Sequence, residues 1–172
     1  PAEGVRIRVA WTHSAPHARC IALDASARLV GVALAGGQVR VLDASGQVLT
    51  QEQFGAADRV AVSGPGNVLA VYRRQAPEET TLTFVRPDGT VVWRHDAGAP
   101  IVDAALAADG LRAAWVTASG HVCTVDLDGF QRYRRWRSAS TPCQVYVNPG
   151  GTLVVVTTQD PPGVWGYTPE GR

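Results

Sequence analysis

AALAADGLRAAWVTASGHVCTVDLDG, residues Ala104–Gly129, is the stretch that decides the fold. It opens on four small or apolar residues, Ala104-Ala105-Leu106-Ala107, and breaks at Asp109-Gly110. Asp and Gly end strands because one bonds its own backbone and the other tolerates positive φ. A second run, Arg112–Val116, is almost continuous in apolar and small residues, as a strand covered on both faces should be. A hairpin leads to a third, Val122–Val125, and Asp128-Gly129 turns the chain once more. Three short strands and three turns fit into 26 residues, which leaves no room for a helix.

The same grammar is written four times. The first strands open at Ile21, Val60, Ala104 and Val145, which lie 39, 44 and 41 residues apart. Turns follow at Ala25-Ser26, Gly64-Pro65-Gly66, Asp109-Gly110 and Pro149-Gly150-Gly151. Second strands are expected at Leu29–Ala33, Val68–Tyr72, Arg112–Val116 and Leu153–Thr157. Third strands are expected at Val39–Leu42, Leu82–Val85, Val122–Val125 and Val164–Tyr167, closed by Gly46, Gly89, Gly129 and Gly171. Fourth strands follow at Gln47–Thr50, Thr90–Arg94 and Phe130–Trp136.

The fourth repeat stops before its fourth strand. An orphan segment, Val5–Trp11, stands at the other end behind Gly4, in phase with Gly46. It is expected to complete the last sheet and satisfy an edge otherwise left unpaired. Four short strands per ~40-residue unit is the blade of a β-propeller. The expectation is an all-β propeller of four four-stranded blade equivalents in one domain over 1–172. Its repeats run at about 18–57, 58–99, 100–140 and 141–172, with strand 4–11 added to the last.

These units resemble those of WD-repeat-like and quinoprotein-like propellers along the whole chain. Leu42-Asp43 and Val125-Asp126 stand where the WD pattern places its Trp-Asp pair. No Gly-His pair stands at the place that pattern requires, and the docking tryptophans of quinoproteins are absent, so the resemblance is to the architecture and to no subfamily. Propellers host many functions, and the fold alone names none.

Composition narrows the classes. The 172 residues carry 16 basic and 15 acidic side chains, a net charge of +1, so no global field points to nucleic acid or an anionic membrane. No apolar run approaches the ~20 residues of a membrane span. Nothing at the start reads as a signal peptide, so a soluble protein is expected, with a cytoplasmic setting favoured. Every basic residue is Arg and Met is absent. The first suggests a bacterial coding bias, and the second a processed form or a piece of a longer protein. Cys20, Cys123 and Cys143 show neither disulfide nor zinc spacing and are expected as small buried residues.

One constellation stands out: Gln131-Arg132-Tyr133-Arg134-Arg135-Trp136-Arg137. On a strand, Arg132, Arg134 and Trp136 share one side, and Tyr133, Arg135 and Arg137 the other. Guanidinium forks bind carboxylates and phosphates bidentately, and aromatics offer stacking surface. These six residues are the candidate partner site, and a charged edge that resists sheet-to-sheet pairing is the competing explanation. An acidic protein surface is the favoured partner. Nucleic acid is disfavoured, because no broad basic face exists to track a backbone.

Other motifs carry less. His13 and His17 fall in a loop with no completing ligand, so no metal site is expected. His95 and His121 are expected at the surface, and the recurrent Asp-Gly pairs are turns. No catalytic residue and no cofactor are expected. The functional expectation is a non-catalytic interaction scaffold. A ligand- or glycan-binding sensor and a propeller hydrolase or lyase stand as alternatives. Inner strands rich in Ala, Gly and Val pack flat, which suits a large ring. A homodimer closing eight blades by exchange of first strands is favoured over a four-bladed monomer.

Overall fold

The structure, a computed structural model, describes residues 10–64, 68–74, 76–128 and 133–169. It is all-β: among the described residues, fifteen strands form four antiparallel meanders. The first sheet holds β1 (Ala18–Leu23), β2 (Leu29–Leu34), β3 (Gln38–Asp43) and β4 (Val48–Gln53). The second holds β5 (Arg59–Val62), β6 (Leu69–Tyr72), β7 (Thr81–Val85) and β8 (Val91–Asp96). The third holds β9 (Ile101–Leu106), β10 (Arg112–Thr117), β11 (His121–Asp126) and β12 (Arg134–Arg137). The fourth has three strands among the described residues: β13 (Pro142–Val147), β14 (Val154–Gln159) and β15 (Pro162–Tyr167).

Second strands are the most buried, as their composition requires; β2 and β6 are buried at every position. The turn before each has a built-in acceptor. Leu29 N donates to Asp24 Oδ1, Val68 N to Ser63 Oγ and Leu153 N to Asn148 Oδ1. These three acceptors occupy the same repeat position. The third repeat has Ala107 there, and Asp109 Oδ1 accepts Leu111 N instead. Each satisfied backbone donor removes a cost of ~1–3 kcal/mol.

The sheets stack in chain order through their faces. We call the face toward the preceding sheet near, and the face toward the following sheet far. Far-face Leu29, Ala33, Val39 and Val41 of the first sheet meet near-face Val60, Val62, Leu69 and Val71 of the second. Gly31 sits between them: a Cβ there would lie 2.7 Å from Val62 Cγ2 and 3.0 Å from Val60 Cγ2. The second junction joins Val68, Ala70, Tyr72, Leu82 and Phe84 to Ala104, Ala113, Trp115, Cys123 and Val125. The third joins Ala114, Val116 and Val122 to Val145, Val154 and Val156.

One polar group crosses two junctions. The Asp103 carboxylate on β9 accepts Tyr72 Oη from the second sheet at 3.1 Å and Val145 N from the fourth at 3.0 Å. Burial and the Asp103 carboxylate push the Tyr72 phenol well above its usual range, so it stays a donor.

The first and last sheets have no packed junction with each other among the described residues. The near face of the first, with Val30, Val32, Leu34 and Leu42, is met by Trp11 and Ala15. Trp11 Nε1 donates to Ala44 O at 2.9 Å, and its ring lies over Gly46, whose φ of +84° belongs to the left-handed region. Trp11 was expected at the end of a strand on the last sheet. It lies outside any strand, against the first sheet, and the remainder of that expected strand, 4–9, lies outside the described residues.

Candidate partner-binding site

The Arg-rich segment lies at the outer edge of the third sheet. β12 pairs with β11 through His121↔Arg137, Val122↔Trp136, Cys123↔Arg135 and Thr124↔Arg134. Arg132 lies outside the described residues, and Tyr133 precedes the strand. The alternation read from the sequence holds for the rest. Trp136 turns to the far side and packs on the third junction, with Tyr167 at 5.7 Å between ring centroids. Tyr133 turns to the near side and stacks on Trp115 at 5.8 Å. Arg135 and Arg137 are exposed, and neither makes an ion pair among the described residues. Arg134 is half-buried.

The neighbours of this edge set its charge. Arg135 Nη2 donates to His121 Nδ1 at 3.0 Å, and Ser119 Oγ lies 2.9 Å from the same nitrogen. Burial holds the His121 imidazole below its usual range, and Arg135 and Arg137 lower it further. His121 is therefore neutral near pH 7 and leaves the guanidiniums their charge. Tyr133 Oη donates to Cys123 Sγ at 3.6 Å. Burial pushes the Cys123 thiol up to about 11 despite that bond, so it is no nucleophile at neutral pH.

His95, expected at the surface, belongs to this neighbourhood instead. It is half-buried in an aromatic pile, 5.0 Å from Trp93, 5.1 Å from Trp115 and 4.8 Å from Tyr133. The residues that enclose it lie on two sheets and up to 38 positions away, which hides the cluster from a reading along the chain. Its Nε2 and Trp115 Nε1 are buried without a hydrogen-bond partner among the described residues.

Arg137 also borders a cleft of about 360 Å³ between the third and fourth sheets, lined by Ser119, Ser138, Ser140, Thr141 and Asp160. His13 and His17 do not meet: His13 Nε2 lies 3.3 Å from Arg40 Nη1, and His17 is exposed in the loop before β1. Among the described residues, no group of three His, Cys, Asp or Glu side chains is placed to hold a metal ion. None of the helices needed to cross a membrane occurs among them either. Cys123 is buried as expected, whereas Cys20 and Cys143 are half-buried; all three are free thiols.

No known protein family matches the sequence, and no curated protein does. Solved structures do. The β-propeller domain of Cps50 (Swd1) from Myceliophteria thermophila is similar with a TM-score of 0.69 and 13% identity, over 88% of this chain and 54% of that one. Hydrazine synthase from Kuenenia stuttgartiensis is similar with a TM-score of 0.71 and 15% identity, over 96% of this chain and 49% of that one. At such identities the likeness shows the fold. Four stacked meanders and these neighbours together make the chain a β-propeller structure. It spans about half the length of the solved structures it matches.

Proposed function

We propose that the chain is a non-catalytic interaction scaffold whose outer strand β12 receives an acidic protein segment. The observation that supports this most directly is the pair Arg135 and Arg137, exposed, unpaired with any described carboxylate, and held on a sheet edge beside Tyr133. A rigid sheet fixes the spacing of the two forks, so little side-chain ordering is left to offset on binding. A local patch suffices for a short acidic peptide, whereas a nucleic-acid backbone needs several phosphate contacts at once. The free thiols favour a reducing compartment such as the cytoplasm. A homodimer closing eight blades is a further part of this reading: small residues such as Gly31, Ala22 and Ala33 let neighbouring sheets pack flat, which suits a ring of more than four sheets.

The test is fluorescence anisotropy with a labelled oligoglutamate peptide and an equally charged single-stranded DNA. The wild type should prefer the peptide, and its affinity should fall steeply with salt, because exposed charges are screened over ~8 Å at physiological ionic strength. The Arg135→Gln, Arg137→Gln double variant should lose roughly tenfold in affinity, about 1.4 kcal/mol, with an unchanged melting temperature. Equal peptide binding by the variant would return β12 to a protected sheet edge.

A further inference from the structure

Sheets arranged radially stand close at their inner strands and splay at their outer ones. What fills the wide part differs between the three junctions. At the second it is a pile of rings, Trp93 and His95 from one sheet with Trp115 and Tyr133 from the next. At the third, Trp136 meets Tyr167. At the first, the near face of the second sheet runs outward from Val71 through its cross-strand partners Thr83 and Arg94, none of them a ring. A cleft of about 300 Å³ is open there, lined among others by Phe54, Ala57, Val71, Thr81, Glu79 and Arg94. It lies between two sheets inside the stack and not at either end.

One wall of the cleft comes from a departure from the repeat. The hairpin between second and third strands has three residues in the first sheet, three in the third and two in the fourth, but eight in the second, 73–80. Its described residues are fastened down. Arg73 Nη1 donates to Glu78 Oε1 at 2.7 Å, Arg74 N to Asp58 Oδ1 at 3.0 Å and Thr80 Oγ1 to Asp96 Oδ1 at 2.6 Å. Ala76 is buried. A loop that only joined two strands would need no such length and no such anchoring. This one adds Arg73 and Glu79 to the lining of the cleft.

Two opposite charges in that lining are left over. The Arg73 guanidinium is taken by Glu78. Arg94 and Glu79 make no ion pair among the described residues, with each other or with any third group. Glu52, on the facing strand β4, lies against Gly89 instead, where its Cγ would sit 2.9 Å from an added Cβ. The rest of the lining is partly apolar: Ala57 and Val71 are buried and Phe54 is half-buried. An apolar floor, a guanidinium fork and a separate carboxylate suit a small molecule that is apolar at one end and carries both charges at the other.

We infer that this cleft binds a free aromatic α-amino acid. Its carboxylate takes the Arg94 fork, its ammonium meets Glu79, and its ring lies on Phe54 and Val71. Phe54 favours a ring over an aliphatic chain, because stacked rings attract beyond their buried area. The bound ring fills the first junction as Trp93 and Tyr133 fill the second. A ligand with the anion alone leaves Glu79 unpaired, and one with the cation alone leaves Arg94 unpaired, so the two charges together select the zwitterion. The site is separate from β12 and does not depend on what that edge receives.

Isothermal titration calorimetry of the 172-residue chain with L-phenylalanine tests this. Three analogues each lack one part: N-acetyl-L-phenylalanine the cation, phenethylamine the carboxylate and L-alanine the ring. L-Phenylalanine should bind, and each analogue should bind roughly tenfold more weakly or worse. Arg94→Gln should erase the preference over phenethylamine, and Glu79→Gln the preference over N-acetyl-L-phenylalanine, both at an unchanged melting temperature. No binding of L-phenylalanine by the wild type would overturn the inference. Binding that both variants retain in full would overturn this cleft as its place. Equal binding of the charge-deleted analogues by the wild type would overturn selection of the zwitterion, whatever the variants do.

Discussion

The junction between the first and second sheets and the one between the second and third are the same contact built in opposite ways. The first is small and aliphatic: Gly31, Ala22 and Ala33 let the second sheet approach until valine methyls touch the backbone. The second is filled by rings, with Phe84, Trp93, His95, Trp115 and Tyr133 stacked across it. One repeat pattern thus tolerates close and wide spacings, provided each pair of faces is complementary. The first junction has no spare volume around Gly31 and fails there by overfilling. The second is held by a few large groups and fails by emptying.

The largest effect should come from emptying the second. Trp115 is fully buried at its centre, and Trp115→Ala should cost ~3–5 kcal/mol, read as a drop in the denaturant midpoint. A loss below that of an ordinary surface change would mean that the rings collapse into the gap. Overfilling the first should come next. Gly31→Ala places a methyl against two β-branched side chains with little rotamer freedom, so the sheets must move apart. The expected loss is ~1–3 kcal/mol, and an unchanged midpoint would show that this junction has slack.

The smallest effect separates the two junctions by pH, since only the second holds a histidine among its rings. Burial lowers the His95 pKa below its usual 6.5; Arg135 lowers it further, and Asp96 opposes both. The unfolded chain therefore takes up the proton first as the pH falls. Stability is full above the unfolded value and declines as pH drops from there toward the depressed folded value. His95→Phe should flatten that decline when thermal melts at neutral and mildly acidic pH are compared. Part of it should remain, because His121 is depressed as well. A slope identical to the wild type would remove His95 as its source.

Much of the fold was legible because each repeat carries its turns in the same phase, and turn chemistry is local. The second strands matched within a residue or two, since a strand buried on both faces is marked by composition alone. First strands proved longer than expected: β1, β9 and β13 begin about three residues earlier. Those extra residues include the polar Arg19, Asp103 and Gln144 and sit next to register shifts. Period-two apolar patterning does not mark such positions.

The candidate site was legible in part. Alternation placed Tyr133 and Trp136 on opposite sides of the strand, as found. The aromatic pile under Tyr133 was not visible, because His95 and Trp115 reach it from another strand and another sheet. Which faces lie open at the two ends was equally hidden, for Ile21 and Leu23 read like any covered strand. Only the three-dimensional stack shows that Ile21 and Leu23 are 64% and 60% exposed, with no packed junction to the fourth sheet among the described residues.

Repeat architectures generally behave as a row of units, each coupled to its two neighbours, so their stabilities add along the row. Asp103 breaks that rule here. A single carboxylate holds the second, third and fourth sheets at once, through Tyr72 on one side and the Val145 amide on the other. Losing any one of the three sheets strands a partner of the other two. Substitutions on either side of Asp103 are therefore coupled over two junctions. Hydrogen exchange should then report the last three sheets opening as one cooperative block, with the first opening separately.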